Sequence, residues 1–337
     1  LLQHLFYAEA AIACPVPLRL VGLVERYVGK RGKAAAAISI IFGYWGGLLA
    51  YMIVGGTFLH VLLGPIIGGQ EFAYQVVWSI VASALIYFGL DFITKINFYA
   101  TLGLLAAMAL IFALGLPHVR LAHFAPLWTG TDLFLPYGVV LFSLSGLPAI
   151  LEMEDILKGD HRRYRSAIIF GTLLAAALTA AFGFIVWGVT GPATTDAAVE
   201  GLKASLGGSI AVIAAAFGFL AVATSFFASA INLQATFRYD YKLSRPVAWL
   251  LTGGVPFAVF LFGAKDFVHI VSFTGAVFGG ITAALVALLY VAVATKGEVK
   301  EKPLGVPVAW AYVCIALLSA GALIEAGTTA VRIIKTL

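Results

Sequence analysis

The sequence predicts an all-α integral membrane protein, a single transmembrane domain spanning residues 1–337. Three observations carry that expectation. Of 337 residues, 62% are hydrophobic and only 11% charged, where a soluble domain carries about 25% charged residues; the mean hydropathy is +1.01. Apolar runs of the length that crosses a bilayer, about 18 residues or more, recur along the chain. The basic residues fall between those runs and alternate from one side to the other.

Ten helical segments follow from the runs: 1–14, 34–63, 72–91, 96–117, 133–157, 166–190, 209–237, 246–263, 267–295 and 307–327. The runs are uniformly apolar and too long for the alternating strands of about ten residues that build a membrane β-barrel. The connectors are short and leave no room for a soluble domain. The first segment is too short to span, and no cleavable signal pattern precedes it, so part of a helix is expected upstream of Leu1.

Orientation follows from the basic residues, which accumulate on the cytoplasmic side. Arg19, Arg26, Lys30, Arg31 and Lys33 lie in one connector, Lys95 in the second and Lys158, Arg162, Arg163 and Arg165 in the third. Arg238, Lys242 and Arg245 follow, then Lys296, Lys300 and Lys302. Only Arg120, Lys203, Lys265, Arg332 and Lys335 fall on the other side. Stretch 192–208 is then external, with room for a short surface helix. The expected location is the inner (plasma) membrane, crossed many times, with the lipid bilayer as partner. The net charge of +5 is no sign of nucleic acid, because its carriers serve as topology signals.

Composition and spacing argue against an enzyme. His4, His60, His118, His123, His161 and His269 are scattered without a metal-binding helix pattern, and no phosphate-cradling glycine loop is present. Gly89-Leu-Asp91 and Tyr239-Asp240 only faintly match an intramembrane aspartyl protease, in reversed order and at helix ends. Cys14 and Cys314 sit in or beside apolar runs and are expected as small buried hydrophobes rather than a disulfide.

The segment 133–157 holds the most chemistry. Ser143, Ser145, Gly146 and Pro148 cluster near its middle. Proline lacks an N–H and clashes with the carbonyl four residues back. An interruption at membrane depth bares backbone groups, which are tolerated only against protein or a water-filled cavity. Transporters use such breaks to hold substrate and ions; the alternative is a plain proline kink packed on a neighbour. In 209–237, Thr224, Ser225 and Ser229 offer hydroxyl oxygens suited to Na⁺, or else bond back to carbonyls of their own helix. Intramembrane carboxylates are functional candidates by default: Glu9 and Glu152 lie deepest, Glu325 lies near the end of the last segment, and Glu154 and Asp155 are expected at the cytoplasmic interface beside the arginine cluster, in a solvated role. Glycines at 43 and 47, and at 275 and 279, are spaced for close helix packing. Tyr51 is a polar exception on the glycine-rich second segment.

Several stretches together resemble a known family: His4-Leu-Phe-Tyr-Ala-Glu9, Leu20-Val-Gly-Leu-Val-Glu-Arg-Tyr-Val-Gly-Lys30, Tyr51-Met-Ile-Val-Gly-Gly56, Phe142-Ser-Leu-Ser-Gly-Leu-Pro-Ala-Ile-Leu-Glu152, Ala223-Thr-Ser-Phe226 and Phe237-Arg-Tyr-Asp240. They resemble the aromatic amino acid permeases and the wider amino acid/auxin permease group of the amino acid–polyamine–organocation superfamily. The resemblance implies a leucine-transporter-like fold, an inverted repeat of five plus five helices and an extra one. The family's first helix has no counterpart here, so the fold would be N-terminally truncated, with an incomplete site. It implies an amino acid importer, a cation-coupled permease for hydrophobic or aromatic substrates. Tyr51, Phe142, Ser143, Ser145 and Gly146 would bind the amino acid. Thr224 and Ser225 would match a Na⁺ position, and Glu9 and Glu152 would serve as polar brace or proton relay. No cofactor is implied beyond Na⁺ or H⁺ as coupling ion. The competing reading is a transporter-like amino acid sensor that binds without transport.

Overall fold

The structure is a computed structural model and describes residues 1–14, 18–88, 90–125, 135–157, 159–295 and 305–336. Among these residues every regular element is a helix. In chain order they are α1 (Leu2–Ala13), α2 (Leu20–Tyr27), α3 (Lys30–Ile67), α4 (Glu71–Phe88) and α5 (Leu90–Gly115). Then come α6 (Leu135–Ser143), α7 (Leu147–Leu157), α8 (His161–Thr190), α9 (Val199–Leu206) and α10 (Gly208–Ala235). The last are α11 (Arg245–Trp249), α12 (Val255–Leu261), α13 (Phe267–Phe273), α14 (Gly280–Thr295) and α15 (Ala309–Thr336). Three single π-turns, Thr236–Asp240, Leu250–Gly254 and Thr274–Gly279, interrupt or extend these helices.

Among the described residues, six stretches are long and apolar enough to cross a membrane: Lys30–Ile67, Tyr99–His118, His161–Ala193, Gly208–Arg238, Phe267–Thr295 and Val308–Val331. Shorter apolar helices lie at Glu71–Tyr87, Leu135–Leu151 and Arg245–Leu261. Large apolar side chains such as Phe170, Phe262 and Leu323 are more than 70% exposed, which suits contact with lipid tails. The free cysteines, Cys14 and Cys314, are half-buried against an apolar core, as expected.

Four expectations change in detail. The first basic connector contains a helix, α2, whose Leu20, Val21, Leu23 and Val24 are buried; it is too short and too charged on its outer side to register as a run. Lys95 lies within α5 rather than in a connector, because that helix begins at Leu90, ahead of the apolar run. Its side chain, like those of Asp91, Glu152, Asp155, Tyr239 and Asp240, lies outside the described residues, as do Lys158 and the connector residues 296–304. Helix α9 does form in 192–208, but Val199 and Leu202 are buried, so its inner face belongs to a core. Helix α8 begins at His161 and α15 runs on to Thr336, each several residues beyond its apolar run.

The chain divides into two compact units. The first comprises Leu1–Gly43, Asp132–Ala177 and Val271–Leu337. Its core gathers Phe6, Ala8, Leu23, Ile150, Ile168, Val286 and Leu289. Phe6 stacks on Tyr290 with centroids 4.8 Å apart. Two buried tyrosines hand their hydroxyl protons to carbonyls: Tyr164 to Ile150 at 2.9 Å and Tyr290 to Val306. Helix α6 packs almost backbone to backbone on α13 and the π-turn that follows it. A Cβ on Gly138 would overlap the Ser272 carbonyl, and one on Gly275 would overlap the Gly138 carbonyl. Ser272 Oγ donates to the Leu135 carbonyl at 3.2 Å. The close approach thus falls on Gly138 and Gly275. By contrast, a Cβ on Gly43 or Gly279 would meet ordinary contacts at 3.4 and 3.8 Å.

The second unit comprises Tyr44–Thr131 and Leu178–Ile270. Val54, Phe58, Ile111, Ile185, Ala211 and Ala215 form its core. Gly55 and Gly56 let α4 approach α3, since a Cβ on either would overlap Trp78 or Gln75. Tryptophans tie the unit together. Trp45 donates to the Leu251 carbonyl in a π-turn at 2.9 Å, Trp249 to Ser83 at 2.6 Å, Trp78 to Tyr51 at 3.0 Å and Trp187 to His123 at 2.8 Å. A buried indole N–H without a partner costs about 1–3 kcal/mol.

These contacts set a stability test. Gly275→Val should destabilise the protein by about 1–3 kcal/mol, because the obstructing Gly138 carbonyl is backbone and cannot swing aside. Gly171→Ala, on α8 with nothing within 4 Å of the added methyl, should be neutral or slightly stabilising. Thermal unfolding in detergent, followed by near-ultraviolet circular dichroism, compares the two. Equal midpoints would remove Gly275 from its packing role.

Candidate functional site

The expected interruption of 133–157 is present. Helix α6 ends at Ser143, α7 begins at Leu147, and 144–146 are non-helical. The local sequence explains the position. Pro148 is the second residue of α7, in the first turn, where its missing N–H costs nothing. Four residues back lies Leu144, where the helical pattern stops. Leu144 N–H still reaches the Val140 carbonyl at 3.1 Å, and Ser145 N–H tightens onto Phe142 at 3.2 Å. Gly146 occupies the cap position of α7 without a side chain to cap it.

Another helix completes the break. The Gly146 N–H donates to Nε2 of His4, on α1, at 3.1 Å. The other ring nitrogen, Nδ1, lies 3.0 Å from Oγ1 of Thr172 on α8. Because Nε2 accepts, the neutral ring carries its proton on Nδ1 and donates it to Thr172. His4 is buried, at 6% exposure, and its ring sits 3.5 Å from where a Gly146 Cβ would be.

The other expected residues of this unit surround the break or lie deeper. Ser143 is exposed, its hydroxyl bonded back to Val140 at 3.1 Å, and Ser145 is also exposed. Phe142 is half-buried, its Cβ 2.8 Å from a methyl placed on Gly275. Glu9 is buried at 1% exposure on α1, on the same helix as His4. Glu325, on α15, is also buried and accepts a bond from Thr329 at 3.4 Å.

The second unit joins two residues singled out separately from the sequence. The hydroxyl of Tyr51 on α3 is hydrogen-bonded to the side chain of Ser225 on α10. Trp78 of α4 takes the Tyr51 carbonyl and packs its ring on Phe219, Phe226 and Phe227 of α10, with centroids 4.9–6.3 Å apart. Gly55 is what admits the indole. Thr224 donates its hydroxyl to the Ala221 carbonyl at 3.0 Å, the back-bonded arrangement, which leaves its oxygen lone pairs available. The expected residues thus form two sets: 142–146 in the first unit, and Tyr51, Thr224 and Ser225 in the second.

Two residues at these places were not anticipated. His4 was accessible to the rule that singled out Glu9, since both are ionisable groups in an apolar segment. Trp78 carried no signal beyond being one of six tryptophans. Among the described residues, no cluster of His, Cys, Asp and Glu could hold a transition metal.

The model of the tryptophan/tyrosine permease family matches residues 1–326. The tyrosine-specific transport system 1 of Haemophilus influenzae is 24% identical over 279 residues, covering 76% of this chain and 68% of that protein. A multi-pass array of apolar helices, an interrupted helix at 144–146 and a match along nearly the whole length lead to one statement: the chain belongs to the tryptophan/tyrosine permease family.

Proposed function

We propose that the protein is a cation-coupled secondary transporter that imports an aromatic amino acid across the inner membrane by alternating access. The observation that carries this reading is the helix interruption at 144–146 in a chain of this permease family. Nonpolar lipid cannot satisfy backbone groups freed at membrane depth, so an interruption there must be held by protein or line a water-filled cavity, and transporters use such breaks to bind substrate. The tyrosine transport system that it resembles supports an aromatic substrate. In this reading the architecture is the leucine-transporter-like five-plus-five inverted repeat, within the amino acid–polyamine–organocation superfamily. The residues assigned to the amino acid are Phe142, Ser143, Ser145, Gly146 and Tyr51. The coupling ion is Na⁺ or H⁺. Thr224 and Ser225 supply oxygens if it is Na⁺, while Glu9 and Glu152 serve as polar braces or proton carriers.

Counterflow decides between a transporter and a sensor. Proteoliposomes preloaded with unlabelled tyrosine should accumulate labelled tyrosine transiently, and tryptophan inside should do the same for labelled tryptophan. Saturable binding to the purified protein without any counterflow would identify a sensor instead.

Two substitutions probe the assigned residues. Gly146→Leu should abolish tyrosine binding, because a branched side chain must push through the His4 ring. Gly146→Ala should keep most of it, since the methyl meets that ring at an ordinary 3.5 Å. Equal affinities for all three proteins, measured by equilibrium binding, would remove the break from the substrate site.

Tyr51→Phe and Ser225→Ala each delete one side of a shared hydrogen bond. Residues coupled in this way show interaction energies of about 0.5–3 kcal/mol. Their effects on tyrosine uptake should therefore be less than additive in the double variant. Na⁺-gradient and pH-gradient uptake, measured separately, locate the ion: loss of Na⁺ stimulation in Thr224→Ala with Ser225→Ala is the outcome expected of a sodium site.

A further inference from the structure

We propose that His4 is a proton-binding residue that controls the helix break, so that a proton and the amino acid bind together. The proposal rests on 144–146 as the substrate-binding break and adds the group that regulates it. The geometry is specific. One ring nitrogen accepts the Gly146 amide at 3.1 Å and the other faces Thr172 Oγ1 at 3.0 Å. The ring therefore spans α1, the start of α7 and α8. Both partners are uncharged, and the bond to Gly146 exists only while Nε2 keeps its lone pair.

Protonation reverses that contact. An added proton on Nε2 makes it a donor, and two N–H groups then face each other. The Gly146 amide is released, and the imidazolium beside it is a full positive charge. Both changes favour a carboxylate: a freed amide donor and an adjacent cation. Neutral His4 does the reverse, since it occupies the amide that a carboxylate would need. Thr172 is unaffected in kind, because Nδ1 donates to it in both states. Binding linkage is reciprocal, so if the proton strengthens amino acid binding, the amino acid must strengthen proton binding.

Other titratable groups lie on the elements that pack around α1. Tyr7 and Glu9 are on α1 itself, Tyr290 is on α14, and Tyr312, Cys314 and Glu325 are on α15. Helix α7 carries Glu152, Glu154 and Asp155, and α8 carries His161, Arg162, Arg163, Tyr164 and Arg165 at its start. Tyr290 and Tyr164 already donate to carbonyls. His4 alone among these is hydrogen-bonded to the amide of the break.

The test measures labelled tyrosine binding to the purified protein in micelles from about pH 5 to 8, the range in which histidine changes charge. Proton uptake on adding tyrosine is followed in weakly buffered solution. The wild-type dissociation constant should rise with pH, by up to about tenfold per pH unit for one linked proton, and tyrosine should draw protons from solution. His4→Gln places an amide oxygen where Nε2 stood, can still accept Gly146 N–H, and does not titrate. It should bind tyrosine only about as weakly as the wild type does at high pH, with a flat pH profile and no proton uptake. A pH profile in His4→Gln that parallels the wild type overturns the proposal. So does a wild type that binds tyrosine with no proton uptake, a readout that needs no variant to fold. A folded wild type that binds neither tyrosine nor tryptophan at any pH overturns instead the reading of the break as a substrate site.

Discussion

In a bilayer every backbone N–H and C=O must find its partner within the protein, and the irregular parts of this chain follow from that constraint. Where the helices are regular, each segment answers for itself. Where they are not, a side chain from elsewhere in the same unit arrives. The Gly146 amide goes to His4, and the Leu251 carbonyl, in a π-turn, goes to Trp45. The segment 133–157 can therefore stop and restart without exposing its amide to lipid. The interruption is as much a property of α1 as of its own serines and proline.

Close approach is the second requirement, because these partners have short reach. Trp78 reaches the Tyr51 carbonyl only because Gly55 has no side chain in the way. The Ser272 hydroxyl reaches Leu135 in a region where Gly138 and Gly275 bring two backbones nearly into contact. Tyr137 likewise fills the space over Gly321. Small residues at helix interfaces are the usual means of packing in lipid, where apolar burial between helices gives no advantage over lipid tails. Here they also set the distance at which hydrogen bonds can form.

Much of the fold was legible in the sequence, for physical reasons. Spanning segments must be long and apolar, so each of the ten expected segments contains helix, and six stretches among the described residues are long and apolar enough to cross a membrane. The break at 144–146 was legible because proline and glycine act locally. Helix α2 was missed because it needs neither length nor uniform hydropathy; its apolar face is short and meets a core assembled from distant segments. Spacing motifs suggested glycine pairs at 43/47 and 275/279, yet Gly275 is tight while Gly43 and Gly279 meet ordinary contacts. Periodicity gives the face of a helix but not what stands opposite. The partnerships of His4 with Gly146 and of Tyr51 with Ser225 span 142 and 174 positions in the chain. No local pattern encodes such distances.

The chemistry of the two units differs in one consequential way. The second unit ties helices and turns together with indole N–H groups, one of them on the Leu251 carbonyl of a π-turn, and these donate at any physiological pH and cannot be switched off by a proton. Its Tyr51–Ser225 bond joins two hydroxyls. In the first unit, by contrast, the amide of the helix break is held by an imidazole, the side chain whose ordinary titration falls nearest neutral pH. A permanently satisfied bond is suited to a scaffold. A bond that one proton can reverse is suited to a step that must run in both directions during each transport cycle. A lysine in place of His4 could only donate and would leave the Gly146 amide without an acceptor. A carboxylate would hold that amide most tightly when charged, and that charge would repel an amino acid carboxylate. Of these side chains only imidazole accepts when neutral and donates as a cation, which makes the residue type at position 4 as consequential as its place.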